Sequence, residues 1–204
     1  MNYLAHLFLA GQNDGIILGN LLEDFVTGHI ENETNSKLPQ DVKLGLLMHR
    51  QIDTLTDSHP VVKECKELFY PNFGKYSPII IDVLFDHYLV KNWEIFTEET
   101  FDNFRPRIYK SLKNYLEIQP EHLKSMINSM IEHDWLKNYK ENWGLERAFL
   151  NLNKRINKPE IDLRLSLKEF EENYYFINEK FLDFFEELKK YCDKFLKEHK
   201  PDGK

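Results

Sequence analysis

Cysteine is scarce in this 204-residue chain: Cys65 and Cys192 are the only two, far apart and in no CxxC pair. That rules out a disulfide framework and suits a reducing cytoplasm. Long hydrophobic runs are also missing. The start, MNYLAHLFLAGQND, is apolar, yet it has no basic lead-in and carries His6 inside a stretch too short to span a bilayer. We expect a soluble cytoplasmic protein with no signal peptide and no membrane association. A cationic surplus is lacking as well, since 27 Lys and Arg face 34 Asp and Glu for a formal net charge of −7. Phosphate-backbone binding needs a basic footprint, so nucleic acid is not an expected partner. The charge is uneven, however. Residues 104–115, FRPRIYKSLKNY, carry Arg105, Arg107, Lys110 and Lys113 without an acid, which suits either an acidic protein partner or a plain solvated face.

Strand alternation, internal repeats and low-complexity linkers are absent too, which leaves one all-α domain. The hydrophobic share of 42% and the charged share of 30% are those of an ordinary globular protein. With 15 Phe and 10 Tyr, the core is expected to be built on rings. Helical spacing predicts helices over residues 4–10, 15–26 (closed by Gly28), 38–57 and 60–69. Further helices are predicted over 78–93, 97–117, 120–140 and 143–155, with loops at HIENETNSK (29–37) and YPNFGKYS (70–77). The tail from Leu165 to Lys197 reads as one long helix. Its Phe170, Tyr174, Ile177, Phe181, Phe184, Leu188, Tyr191 and Phe195 alternate steps of four and three, a heptad seam expected to pack on the bundle itself.

Polar groups recur inside these apolar helices. In MHRQIDTLTDSHP, residues 48–60, His49, Asp53 and Asp57 follow at four-residue steps, so they lie about 40° apart around one helix face. Arg50 flanks that stripe, and an Arg50–Asp53 pair on a solvated face is the alternative reading. In IIIDVLFDHYLV, Asp82 and Asp86 sit four apart and His87 follows directly. An ionised carboxylate among Ile, Val and Phe is costly unless paired or bound to a cation. Arg50 or a divalent metal can supply that charge. GNLLEDFVTG sets Asp24 against Leu21, Leu22, Phe25 and Val26, with Glu23 free to face solvent, and His6 intrudes in YLAHLFLA. Taken singly, His6 reads as a core histidine. Taken together, four helices offer His6; Asp24; His49 and Asp53; and Asp86 and His87, which suggests a shared polyvalent cation. Carboxylate with imidazole and no cysteine favours Mn2+, Mg2+ or Fe2+ over structural zinc. Such ions polarise phosphoryl oxygens, and Arg50 has the planar fork to hold one.

The segments MNYLAHLFLA, LGNLLEDFVTG, LPQDVKLGLLMHRQIDTLTD and PIIIDVLFDHYLVKNW, in this order and spacing, resemble the acyl carrier protein phosphodiesterases, divergent members of the HD-type phosphohydrolases. The likeness is close over residues 1–95 and looser over the helical half, 96–200. It implies a single HD-domain-like helical bundle with a long C-terminal helix. The implied activity removes the 4′-phosphopantetheine arm from holo acyl carrier protein, with Mn2+ as cofactor. By position it implies Asp24, His49, Asp53 and Asp86 as metal ligands, with His6 in the matching N-terminal segment. It further implies His87 as general acid or ligand and Arg50 as phosphate clamp. Lys63 and Lys66, or the 104–115 patch, would steer the acidic carrier protein. A phosphohydrolase acting on a nucleotide or another small phosphate ester, and a non-catalytic helical module, are the alternatives. The contiguous His-Asp pair of the wider superfamily is absent; the doublet here is Asp86-His87.

Overall fold

Periodic apolar sequence folds as helix, and the breaks fall where one residue turns the chain or ties it elsewhere. The computed structural model describes residues 1–26, 28–30, 35–156, 158 and 160–199, and among these there is no strand. The helices are α1 (Tyr3–Leu9), α2 (Asp14–Leu22), α3 (Gln40–Ser58), α4 (Pro60–Phe73), α5 (Ser77–Lys91) and α6 (Trp93–Phe96). They continue as α7 (Phe101–Lys113), α8 (Glu121–Glu132), α9 (Trp135–Asn138), α10 (Asn142–Asn153), α11 (Ser166–Glu172) and α12 (Tyr174–Glu198). The architecture is all-α, as the spacing predicted, and no helix among the described residues is long and apolar enough to cross a membrane.

Several boundaries differ from expectation for local reasons. The helix expected over 15–26 stops at Leu22 and tightens into a 3-10 turn, Glu23–Phe25, before Val26 goes extended. The expected loop at 70–77 is mostly helix. α4 continues through Pro71 to the buried Phe73 and ends at Gly74, whose φ of 49° suits a residue without Cβ. The 120–140 helix breaks at Asp134, held at φ 44° while its carboxylate takes bonds from Arg105 and Tyr109. The tail breaks at Asn173, whose side-chain amide turns back to the Glu169 carbonyl at 2.8 Å. Within the 29–37 loop, residues 31–34 lie outside the described residues, and Asn35–Lys37 forms a short 3-10 turn.

The centre of the molecule is α5. Its Ile80, Ile81, Leu84, Phe85, Tyr88 and Leu89 are fully buried, and each such side chain contributes about 1.5–3 kcal/mol relative to exposure. The seam of α12 packs within the chain, against α4, α3, α5 and α1. Phe181 meets Phe85 at 5.3 Å edge-on and Phe185 at 5.0 Å stacked. Two seam positions depart from the pattern: Tyr174 is half-buried and Tyr191 is exposed.

The closest helix pair is α2 against α3, and glycine makes it possible. A Cβ at Gly19 would stand 2.0 Å from the Val42 carbonyl oxygen, and one at Gly45 would stand 2.4 Å from that of Ile16. Both obstacles are backbone, which cannot swing aside. The expected outcome for Gly45→Ala is a loss of about 2–3 kcal/mol, read from urea denaturation, because the two helices must separate. A midpoint equal to the parent's would show that the close approach is dispensable.

Candidate metal centre

The α2–α3 contact brings two polar sets face to face. From α3, His49 and Asp53 project one turn apart on the same side. From α2 and the turn after it come Asn20, Glu23 and Asp24, and α1 lays His6 over them. The Nδ1–H of His49 donates to the Asn20 backbone carbonyl at 2.7 Å. A carbonyl can only accept, so Nδ1 must carry the proton, and Nε2 points the other way. There it lies 3.1 Å from Asp53 Oδ2, 3.7 Å from Asp24 Oδ1 and 3.8 Å from Glu23 Oε2.

His6 repeats the arrangement. Its Nδ1 meets the side-chain oxygen of Asn20 at 2.8 Å, while Nε2 stands 3.2 Å from Asp53 Oδ1 in a buried position with no hydrogen bond. The two imidazoles stack at 4.0 Å between centroids, 13° from parallel. Asp53 is thus faced by two ring nitrogens at once, and its carboxylate remains 43% exposed.

Electrostatics divide the two rings. Burial, reinforced by the charge of His49, lowers His6 to about 4 despite Asp53. Burial also pulls on His49, but the hydrogen bond and charge of Asp53, with Asp24 added, outweigh it and raise its pKa. Burial works against ionised Asp53 too, yet the two histidines hold it well below the ordinary carboxylate range. Asp24 is raised, by burial first, with partial relief from the His49 charge.

Two ligand groups result, His6–His49–Asp53 and Glu23–Asp24–His49, each with donor atoms within 4.8 Å of one another. The residues present fit a divalent cation. Each Nδ1 is anchored by Asn20, the buried Nε2 of His6 has no hydrogen bond, and carboxylate oxygens face both Nε2 atoms.

Of the predicted site residues, the structure brings together Asp24, His49, Asp53 and His6, sets Arg50 against Glu23 at the edge of the cluster, and places Asp86 and His87 elsewhere. Asp86 is fully buried, but its two oxygens accept the backbone N–H groups of Leu4 at 2.9 Å and Ala5 at 3.0 Å. It therefore closes the N-terminal turn of α1 and stands outside both ligand groups. Burial raises it to about 7 against the pull of those two donors. His87 donates from Nδ1 to the Tyr139 carbonyl at 2.8 Å and packs edge-on against Phe170 and Tyr174; burial lowers its pKa to about 4. It is a core residue, away from the cluster. Arg50 binds Glu23 Oε1 at 2.7 Å and the Gly28 carbonyl at 2.8 Å, so it ties the 23–28 segment to α3 instead of presenting a free fork.

Asp82 finds its cation in the α-amino group of Met1, 3.1 Å away and itself 3.5 Å from Asp53 Oδ1. Two of the four cations of the expected basic patch are paired with acids. Arg105 is buried against Asp102 and Asp134, and Arg107 is bidentate on Glu99. Lys66 pairs with Asp57 at 2.8 Å. Two participants were not anticipated. Glu23 faces His49 rather than solvent, and Asn20 was the remaining polar intrusion in ILGNLL, the one signal that could have marked it.

Substitution should separate the two buried-acid roles. Asp53→Asn is expected to lower affinity for a divalent ion at least about 100-fold by titration calorimetry. Asp86→Asn is expected to keep the metal stoichiometry but lose about 1–3 kcal/mol in denaturation, since an amide nitrogen would confront a backbone donor. Loss of metal binding in Asp86→Asn with unchanged stability would reverse these assignments.

Comparison with known proteins was informative. Residues 1–188 match the family model described as acyl carrier protein phosphodiesterase. A protein of that name from Enterobacter sp. (strain 638) is 35% identical over 187 residues, spanning 91% of this chain and 94% of the relative. Another from Yersinia pestis is 36% identical over 142 residues, 69% of this chain and 72% of the relative. A third, from Serratia proteamaculans (strain 568), is 30% identical over 190 residues, 92% and 95% of the two chains. No solved structure matches.

Proposed function

The chain belongs to the acyl carrier protein phosphodiesterase family, and from that premise we propose that it hydrolyses holo acyl carrier protein to apo carrier protein and 4′-phosphopantetheine with a divalent cation at the His6–His49–Asp53 cluster. The observation that supports this most is the pair of stacked imidazoles, each anchored at Nδ1 by Asn20 and each turned through Nε2 toward Asp53. Mn2+ is the ion that the family resemblance implies, and the donor set, which mixes imidazole with carboxylate and lacks thiolate, suits Mn2+, Mg2+ or Fe2+ alike. When bound, such an ion supplies Lewis acidity toward the phosphoryl oxygens.

The chain's own groups do the rest. Asn20 holds the tautomer of His49 and orients both rings. Arg50 fixes Glu23, which keeps the acidic turn against α3. Asp24, 47% exposed and raised by burial, is the acid at the mouth of the cluster and a stronger proton acceptor than an ordinary carboxylate. Water adds to phosphorus, the bond from phosphorus to the carrier's serine oxygen breaks, and that oxygen leaves with a proton. The phosphate stays on the arm. The mixed imidazole and carboxylate donor set supports a kinship to HD-type phosphohydrolases.

Incubation of the protein and Mn2+ with holo carrier protein is expected to lower the carrier's intact mass by the arm, as read by mass spectrometry. An unchanged mass beside an active control enzyme would overturn the reading. The pH dependence has a definite sign. His49 is raised, so below its pKa a proton occupies the Nε2 that the ion needs, and above it the nitrogen is free. At limiting Mn2+ the rate should fall about tenfold per pH unit below that pKa and recover with excess metal. A flat rate from about pH 5 to 8 at limiting metal would contradict coordination by His49.

A further inference from the structure

A cavity of about 480 Å3 opens where the start of α1 meets α8, α9 and α10. Its volume lies in the range of about 300–1,000 Å3 typical of small-molecule sites. Among the described residues its lining includes Arg147, Lys154 and Arg155 and no carboxylate, which is unusual in a chain of net charge −7. The wall also holds apolar groups, Trp135 and Leu152, and amide groups, Asn138 and Asn151.

The cavity shares the start of α1 with the candidate metal centre: Asn2 and Tyr3 line it, the Met1 amino group just before them stands 3.5 Å from Asp53 Oδ1, and His6 follows on the same helix. Tyr3 and Arg155 line it together. Arg155 is a guanidinium that lines this cavity, whereas Arg50 is held by Glu23 and Gly28. A ligand suited to this lining has an anionic phosphate at one end and a chain of amides and methyl groups behind it. A pantetheine arm has that order of groups. A nucleotide shares the phosphate but carries a sugar and a flat base, which the row of amides matches less well.

We propose that this cavity receives the phosphopantetheine arm, with Arg155 on its phosphate next to the metal centre; the proposal rests on the carrier-protein reading above. Calorimetry with free 4′-phosphopantetheine tests it apart from turnover, with pantetheine and AMP as comparison ligands. Arg155 is exposed, so Arg155→Gln is expected to fold normally. It should bind phosphopantetheine about tenfold or more weakly while binding pantetheine nearly as the parent does. Ala148→Phe, which fills the cavity, should weaken both ligands; its folding is checked by thermal melting, and if it fails to fold the Arg155→Gln result decides. Parent-like affinity in Arg155→Gln, no phosphopantetheine binding by the parent, or tighter binding of AMP would each overturn the proposal. If the parent turns over holo carrier protein while the variants bind normally, the cavity assignment falls and the reaction stands. If the parent binds the arm in the expected pattern but never releases it from carrier protein, the reaction falls and the cavity stands.

Discussion

The hydrogen bond from His49 to the Asn20 carbonyl organises the site. That carbonyl is free because α2 stops at Leu22. In a helix continued to Val26, the N–H four residues on would have claimed it. The early stop therefore has two effects: it releases an acceptor for the imidazole, and it wraps Glu23 and Asp24 back toward the same ring. The bare backbones at Gly19 and Gly45 bring α3 near enough for the bond to form. Helix termination, glycine packing and tautomer choice are thus one constraint expressed in three places.

Much of the fold could be read from spacing alone, because a 3.6-residue apolar rhythm needs no partner to be recognised. The breaks could not. Asp134 leaves the helix for bonds to Arg105 and Tyr109, which stand 29 and 25 residues away in sequence. The site was legible to the extent that an acid or imidazole within apolar sequence must be compensated. What compensates it is not written locally. Asp53 and Asp86 look alike in sequence, each embedded among aliphatic neighbours. One meets two imidazoles; the other meets the start of α1, where Asn2 provides no side-chain cap and Asp86 supplies the missing acceptors from 82 residues away. His87 was read as chemistry for the same reason, yet its Nδ1 is bound to the Tyr139 carbonyl and its Nε2 is buried without a hydrogen bond, the ring packed edge-on against aromatics such as Phe170.

Charge shows a similar gap between sequence and space. The run of cations over residues 104–113 stands out in the linear chain, but Arg105 and Arg107 are taken up by acids that pack against them. Arg147, Lys154 and Arg155 are spread along a mixed segment and attract no notice there, and they line one acid-free cavity in the fold. An acidic protein can present a local positive field only where its carboxylates are kept away, and among the described residues the helix arrangement does so in this cavity.

The stacked imidazoles also divide the charge of the cluster between two unlike rings. Two rings 4.0 Å apart do not both accept a proton readily, and burial settles which one does. His6 stays neutral down to about 4, while His49, beside Asp53 and Asp24, holds its proton more firmly than usual. That proton lies between His49 Nε2 and the carboxylates, where a divalent ion would be coordinated. On the proposed reading, proton and metal would be alternative occupants of one position, each neutralising the same acids. Loading the centre then means exchanging one positive charge for two, with His6 already deprotonated to complete the set.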